Sequence, residues 1–173
     1  MTSQLPWSER VRRAAEALPD HVVISDWHAV SQRAIDQYAA SVEDPDPVHV
    51  DPEWARANTP YGGTIAAGMW GASLLVVMLH RTKFLRAIEQ ELGTSFGLNY
   101  GFDRLRFVNP IPEGSRIRGH FTFVGLARHG EYGAMLRVAV SVEIENAERP
   151  ALVGDWLLYW FDPASARTEE VAG

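Results

Sequence analysis

The sequence contains no cysteine, which removes disulfides, thiolate nucleophiles and Cys-ligated zinc together. Lysine is almost absent too: Lys83 is the one exception among 16 basic residues, the rest being arginine. A phosphate on any ligand would therefore be met by guanidinium forks. There is no basic stripe, and 16 basic against 22 acidic residues leave a net charge of -6, so nucleic acid is a poor partner. The apolar stretch Thr64 to Leu79 falls short of the ~18 residues expected of a membrane span. The amino end, MTSQLPWSERVRRAAEAL, has no apolar core of the secretory type. The expectation from these features is a cytoplasmic protein without a membrane span.

What is present is a chain of 173 residues, 46% apolar and 22% charged. That suits one soluble domain with a real core. Three regions are expected: a helical extension over 1–20, a single domain over 21–163 and a flexible tail over 164–173. In the extension, Ser8 caps a short helix whose inner face carries Val11, Ala14, Ala15 and Leu18, and Pro19-Asp20 ends it. It reads as an appendage. His21 to Ile24 is extended, and Ser31 caps a helix with Ile35, Tyr38 and Ala39 inward.

Ile65 to Leu79, IAAGMWGASLLVVML, is apolar on every face, so it is read as a core helix surrounded by protein. Charges return at His80-Arg81, and the helix continues, broken or unbroken, until Gly93 closes it. The period then changes from about 3.6 to 2. Strands are expected over Leu98 to Val108, Arg116 to Leu126, Ala134 to Ile144 and Val153 to Phe161, joined by turns into an antiparallel sheet. The last strand has Trp156, Leu158 and Trp160 on one side and Leu157, Tyr159 and Phe161 on the other. Both faces need cover, and a second subunit is the expected source of one.

The chemistry concentrates between Ser41 and Met69. Asp44 and His49 stand five positions apart in a segment that Pro45 and Pro47 are expected to keep out of any helix. Asp51-Pro52 then starts a short helix running to about Asn58, and Gly62-Gly63 forms a turn before the core helix. A carboxylate, an imidazole and a helix amino end from one segment are the parts of a proton-transfer site on a carbonyl compound. Taken as an isolated pair, Asp44 could equally cap a turn and His49 fill space. His21, His28, His80, His120 and His129 have no motif around them and read as structural.

A long antiparallel sheet around one central apolar helix is an α+β hot-dog arrangement. The run Asp44-Pro45-Asp46-Pro47-Val48-His49-Val50-Asp51, then Tyr61-Gly62-Gly63-Thr64-Ile65-Ala66-Ala67-Gly68-Met69, resembles the hydratase motif of the MaoC-like dehydratases, the (R)-specific enoyl-CoA hydratase family. Asn99 to Phe107, NYGFDRLRF, is similar to the strand after the helix in the nodulation-protein-N-like branch. Two positions depart from the pattern: Asp46 stands where many relatives have asparagine, and Ala67 where the histidine before the glycine usually is.

The resemblance implies reversible syn addition of water to a trans-2-enoyl thioester of coenzyme A or acyl carrier protein. No cofactor and no metal are expected, and the two-faced last strand makes a homodimer the expected assembly. Asp44 and His49 would hold the water and share the proton transfers, which requires a partly desolvated Asp44. Gly68, at the start of the core helix, would form the oxyanion hole. Ser73 matches a serine implied to help position the substrate, although a helical serine bonded back to its own backbone is the simpler reading. The five-residue gap spans up to ~17 Å when extended, so the chain must bend for acid and imidazole to share a water.

Three rivals stand beside this. A hot-dog thioesterase usually carries a carboxylate on or beside the central helix, and Thr64 to Leu79 has none. A metal site could draw on Asp44, Asp46, His49 and Asp51. A hot-dog subunit that binds acyl thioesters or supports a partner without catalysis is the third.

Overall fold

A computed structural model of the protein describes residues 5–94, 97–162 and 164. In chain order the elements are α1 (Trp7–Glu16), β1 (Val23–Ile24), β2 (His28–Ala29), α2 (Gln32–Ser41), α3 (Pro47–Val50), α4 (Pro52–Asn58), β3 (Ile65–Ala66), α5 (Gly68–Arg81), α6 (Phe84–Leu92), β4 (Leu98–Phe107), β5 (Ile111–Pro112), β6 (Arg116–His129), β7 (Gly133–Ile144) and β8 (Leu152–Phe161).

Strand alternation builds the main sheet. Along β7 the side chains of Leu136, Val138, Val140 and Val142 are buried, while Met135, Arg137, Ser141 and Glu143 are only partly so, the period-2 pattern of a strand with one face on the core. The order is β1-β6-β7-β8-β4, with β2 also on β6, and every pairing is antiparallel. Helix α5 lies against this sheet with Leu75, Met78 and Leu79 fully buried, which gives the expected hot-dog fold.

The helix differs from expectation at its start. Ile65 and Ala66 pair with Pro112 and Ile111 as a separate two-stranded ladder, and Ala67 is still extended at φ -60, ψ 137, so α5 begins at Gly68. A tertiary partner for the Ile-Ala dipeptide overrides its apolar continuity with the helix. Nor is α5 enclosed on all sides within one chain, since Met69 is 56% exposed and Ser73 is exposed. Lys83 in the left-handed region (φ 62) separates α5 from α6, and Gly93 (φ 68) closes the latter.

Helix α1 starts at Trp7 behind Pro6, without a side-chain cap, so Ser8 is not the cap. Pro6 is extended with φ near -55, and the chain turns helical one residue before the serine. The helix is docked, with Trp7, Val11 and Ala14 in the core and contacts to α6 and β6. Buried Arg10 donates to Leu92 O at 2.7 Å and to Asp162 Oδ1 at 2.7 Å. The expected tail, 164–173, lies outside the described residues apart from Ala164.

The last strand has Trp156, Leu158 and Trp160 buried and Leu157, Tyr159 and Phe161 half-buried. Its partner β4 ends the sheet and is irregular, with register shifts between Asn99 and Gly101 and between Asp103 and Arg106. Among the described residues no helix is long and apolar enough to cross a membrane.

Candidate active site

Helix α2 opens with Ser31, whose hydroxyl accepts from Ala34 N, and closes through a left-handed Glu43 (φ 56), with Asp44 N–H donating back to Ala39 O at 2.9 Å. That six-residue closure is the Schellman geometry, here with glutamate at the position usually taken by glycine. The backbone of Asp44 is therefore fixed. Its side chain is exposed.

Pro47 does not keep the next residues out of a helix. Asp46 accepts from Val48 N at 3.0 Å and Pro47 occupies the first turn of α3. Proline is excluded from helix interiors but suits the first helical position, where its missing N–H is not needed. One turn later Asp51 caps α4 through Glu53 N and Trp54 N at 3.1 and 2.9 Å. Two of the four groups in a metal reading, Asp46 and Asp51, thus act as helix caps.

His49, on α3, is half-buried, and its Nδ1 lies 2.6 Å from Ile65 O. A carbonyl only accepts, so Nδ1 carries the proton and the neutral ring keeps its lone pair at Nε2. Gln32 holds this arrangement from behind. Its Nε2 donates to His49 O at 2.8 Å and to Asp36 Oδ1 at 2.7 Å, and its Oε1 accepts from the hydroxyl of Thr64. Thr64 is 3% exposed, so α2, α3 and the chain entering β3 are clasped by one amide.

Gly68 is the first residue of α5. Ala67, at the cap position, supplies no side-chain acceptor, so the opening N–H groups of the helix, which have no intrahelical partners, and the positive end of its dipole are left for a ligand. A Cβ on Gly68 would fall 2.8 Å from the Phe107 ring. His49, Gly68 and Phe107 line one cavity of about 230 Å³ together with Asn109, Ile111 and Leu152. The structure therefore joins His49 and Gly68 in one cavity. Asp44 is not among its lining residues, and Ser73 lies farther along the helix, its hydroxyl donating to Trp70 O at 2.7 Å.

Gln32 and Asn109 stand outside every motif in the sequence, and Thr64 and Phe107 stand inside those motifs without a role of their own. Their roles depend on contacts between distant segments. Nearby, His28 packs edge-on to Trp70 at 6.2 Å, and burial, then the Arg81 charge, lower its pKa and favour the neutral ring.

Residues 14–146 match the family described as MaoC like domain. The chain belongs to that family. This MaoC-like chain is 41% identical over 140 residues to nodulation protein N of Rhizobium leguminosarum bv. viciae, covering 80% of this chain and 84% of the relative. It is 33% identical over 147 residues to 3-hydroxyacyl-thioester dehydratase Z of Mycobacterium tuberculosis (strain ATCC 25618 / H37Rv), covering 85% and 93%. Among solved structures, the (R)-hydratase from A. caviae involved in PHA biosynthesis superposes with a TM-score of 0.58 at 22% identity, covering 80% of this chain and 92% of that one. That last likeness is one of fold.

Proposed function

We propose that this MaoC-like chain is an (R)-specific 2-enoyl-CoA hydratase, equivalently a 3-hydroxyacyl-CoA dehydratase, acting on coenzyme A or acyl carrier protein thioesters. The observation that carries the reading is the His49 Nδ1 to Ile65 O bond, which keeps the lone pair at Nε2 on a residue that lines the same cavity as Gly68.

In hydration, a water oxygen bonds to C3 of the enoyl group as its proton passes to the basic side. The C2=C3 π electrons move toward the thioester, negative charge gathers on its oxygen, and C2 then takes a proton on the same face. His49 Nε2 is the group placed for the proton transfers, shared with Asp44 through the bound water. The amino end of α5 at Gly68 faces the charge that develops on oxygen. Ser73 is assigned to supporting the substrate, from a hydroxyl now bonded to Trp70 O.

Asp44 is exposed in the single chain, and a weak carboxylate base works better when partly desolvated. A second copy of the chain is the proposed cover. Support comes from the open flank of α5 at Met69, the half-buried outer face of β8 and the sheet-ending strand β4 with exposed Leu98 and Tyr100.

The test is loss of enoyl absorbance with crotonyl-CoA. The native protein hydrates it, and Asp44→Asn and His49→Ala each lower kcat/KM by about a hundredfold or more. Unchanged rates in both variants reject the site. A second reading, an acyl-thioester-binding subunit without catalysis, is favoured by the exposure of Asp44 and by Ala67; binding without hydration would establish it. Thiol release from saturated acyl-CoA would instead point to a thioesterase, although α5 contains no Asp or Glu.

A further inference from the structure

Eleven residues line the His49 cavity, and only two of them, His49 and Asn109, have polar side chains. The rest of the lining is apolar or glycine. Asn109 is held in place by its surroundings. Its backbone N–H and that of Val108 both donate to Ala151 O, at 3.2 and 2.8 Å, and Pro110 follows it, which restricts its backbone to extended geometry.

Those contacts use the backbone of Asn109, and its carboxamide makes no hydrogen bond to a described residue. A primary amide offers two donors and one acceptor, and those of half-buried Asn109 are not buried atoms, so they are open to a partner in the cavity, water or a ligand.

The needs of the reaction identify that partner. His49 Nε2 accepts protons, and an amide oxygen is too weak a base to duplicate it. What the cavity lacks is a second donor for the thioester oxygen, because Gly68 offers backbone N–H alone and Ala67 has no polar side chain. We propose that Asn109 is a substrate-contacting catalytic residue whose Nδ2–H donates to the thioester oxygen, completing with Gly68 a two-donor oxyanion hole. This rests on the hydratase reading above.

The experiment compares the full-length native protein with Asn109→Ala and the near-isosteric Asn109→Asp, which replaces the donor by a charged acceptor. Crotonyl-CoA hydration gives kcat and KM, calorimetric titration with non-reacting butyryl-CoA gives binding, and thermal melting gives stability. Removing one oxyanion donor costs about 10²–10³ in kcat. Asn109→Ala is expected to lose at least tenfold in kcat with KM within about threefold. Asn109→Asp is expected to lose more and to bind butyryl-CoA at least tenfold more weakly, with both variants melting close to the native protein.

Native kcat in both variants overturns the proposal and leaves the hydratase reading standing. A fall in melting temperature with native kcat makes Asn109 a turn residue and also overturns it. Should the native protein bind butyryl-CoA without hydrating crotonyl-CoA, the hydratase reading fails and Asn109→Asp binding alone decides, weakening supporting the contact and unchanged affinity refuting it. Native protein that neither hydrates nor binds refutes both.

Discussion

The ring of Phe107 lies across the α-carbon of Gly68, so close that a methyl group there would sit 2.8 Å from ring carbons. Phe107 is 51% exposed and can swing outward, which separates folding from function at this position. Gly68→Ala is expected to melt within a few degrees of the native protein, because the ring yields and alanine suits a helix better than glycine. Crotonyl-CoA hydration should fall at least tenfold, since the methyl group and displaced ring obstruct the amino end of α5. Equal activity would remove Gly68 from the oxyanion site.

Gln32 satisfies the Thr64 hydroxyl and the His49 carbonyl at once. Gln32→Leu keeps most of the volume and leaves both unpaired, a cost of about 1–3 kcal/mol for a buried polar group. Urea unfolding should show that loss, accompanied by lower hydration activity as α3 and its imidazole shift. A variant of native stability and activity would show the clasp to be incidental.

Asp155 supplies a pH dependence. Its hydrogen bond with Arg104, opposed by burial and reinforced by the charges of Arg104 and Arg137, holds its pKa below the ordinary 3.8. A depressed carboxylate pKa means stability fully present above the ordinary value and lost as pH falls through the lowered one. Melting temperature followed from pH 7 to pH 3 should therefore drop at the acid end. In Asp155→Asn that drop should be smaller and the melting temperature near pH 7 lower; parallel curves would show that Asp155 contributes nothing to acid sensitivity.

Arg10 is 5% exposed and joins α1 to Leu92 and Asp162. Breaking a buried ion pair from one side costs about 3 kcal/mol. Arg10→Ala should show a loss of that order in denaturant, and a chain lacking residues 1–20 should lose more, because Trp7, Val11 and Ala14 go with it. A truncated protein of native stability would make α1 the appendage that its sequence suggests.

Periodicity made the sheet legible: the alternation from Leu136 to Val142 has no other good reading, and the antiparallel order follows from short turns between long strands. Local chemistry made the caps legible, with Ser31 on α2 and Asp51-Pro52 on α4 where expected. The start of α5 was not readable, because Ile65 and Ala66 suit either helix or strand and only their pairing with Ile111 and Pro112 decides. Pro47 was ambiguous for a related reason, since proline excludes a helix interior and favours a helix beginning. Asp44 and His49 were singled out through their motif, and of the two only His49 lines the cavity with Gly68, whereas Gln32 and Asn109 were hidden because each meets His49 or its cavity through residues far away in sequence.

Contact between Arg10 and Asp162 brings the first helix and the end of the last strand to the same spot. A circularly permuted gene is therefore feasible: a flexible linker could unite the old ends there, while new ends open in the tight reversal at Gly130 between β6 and β7. Such a rearranged chain would keep His49, Gly68, Phe107 and Asn109 in one uninterrupted run, while Ala151 and Leu152 of the same cavity would come ahead of them.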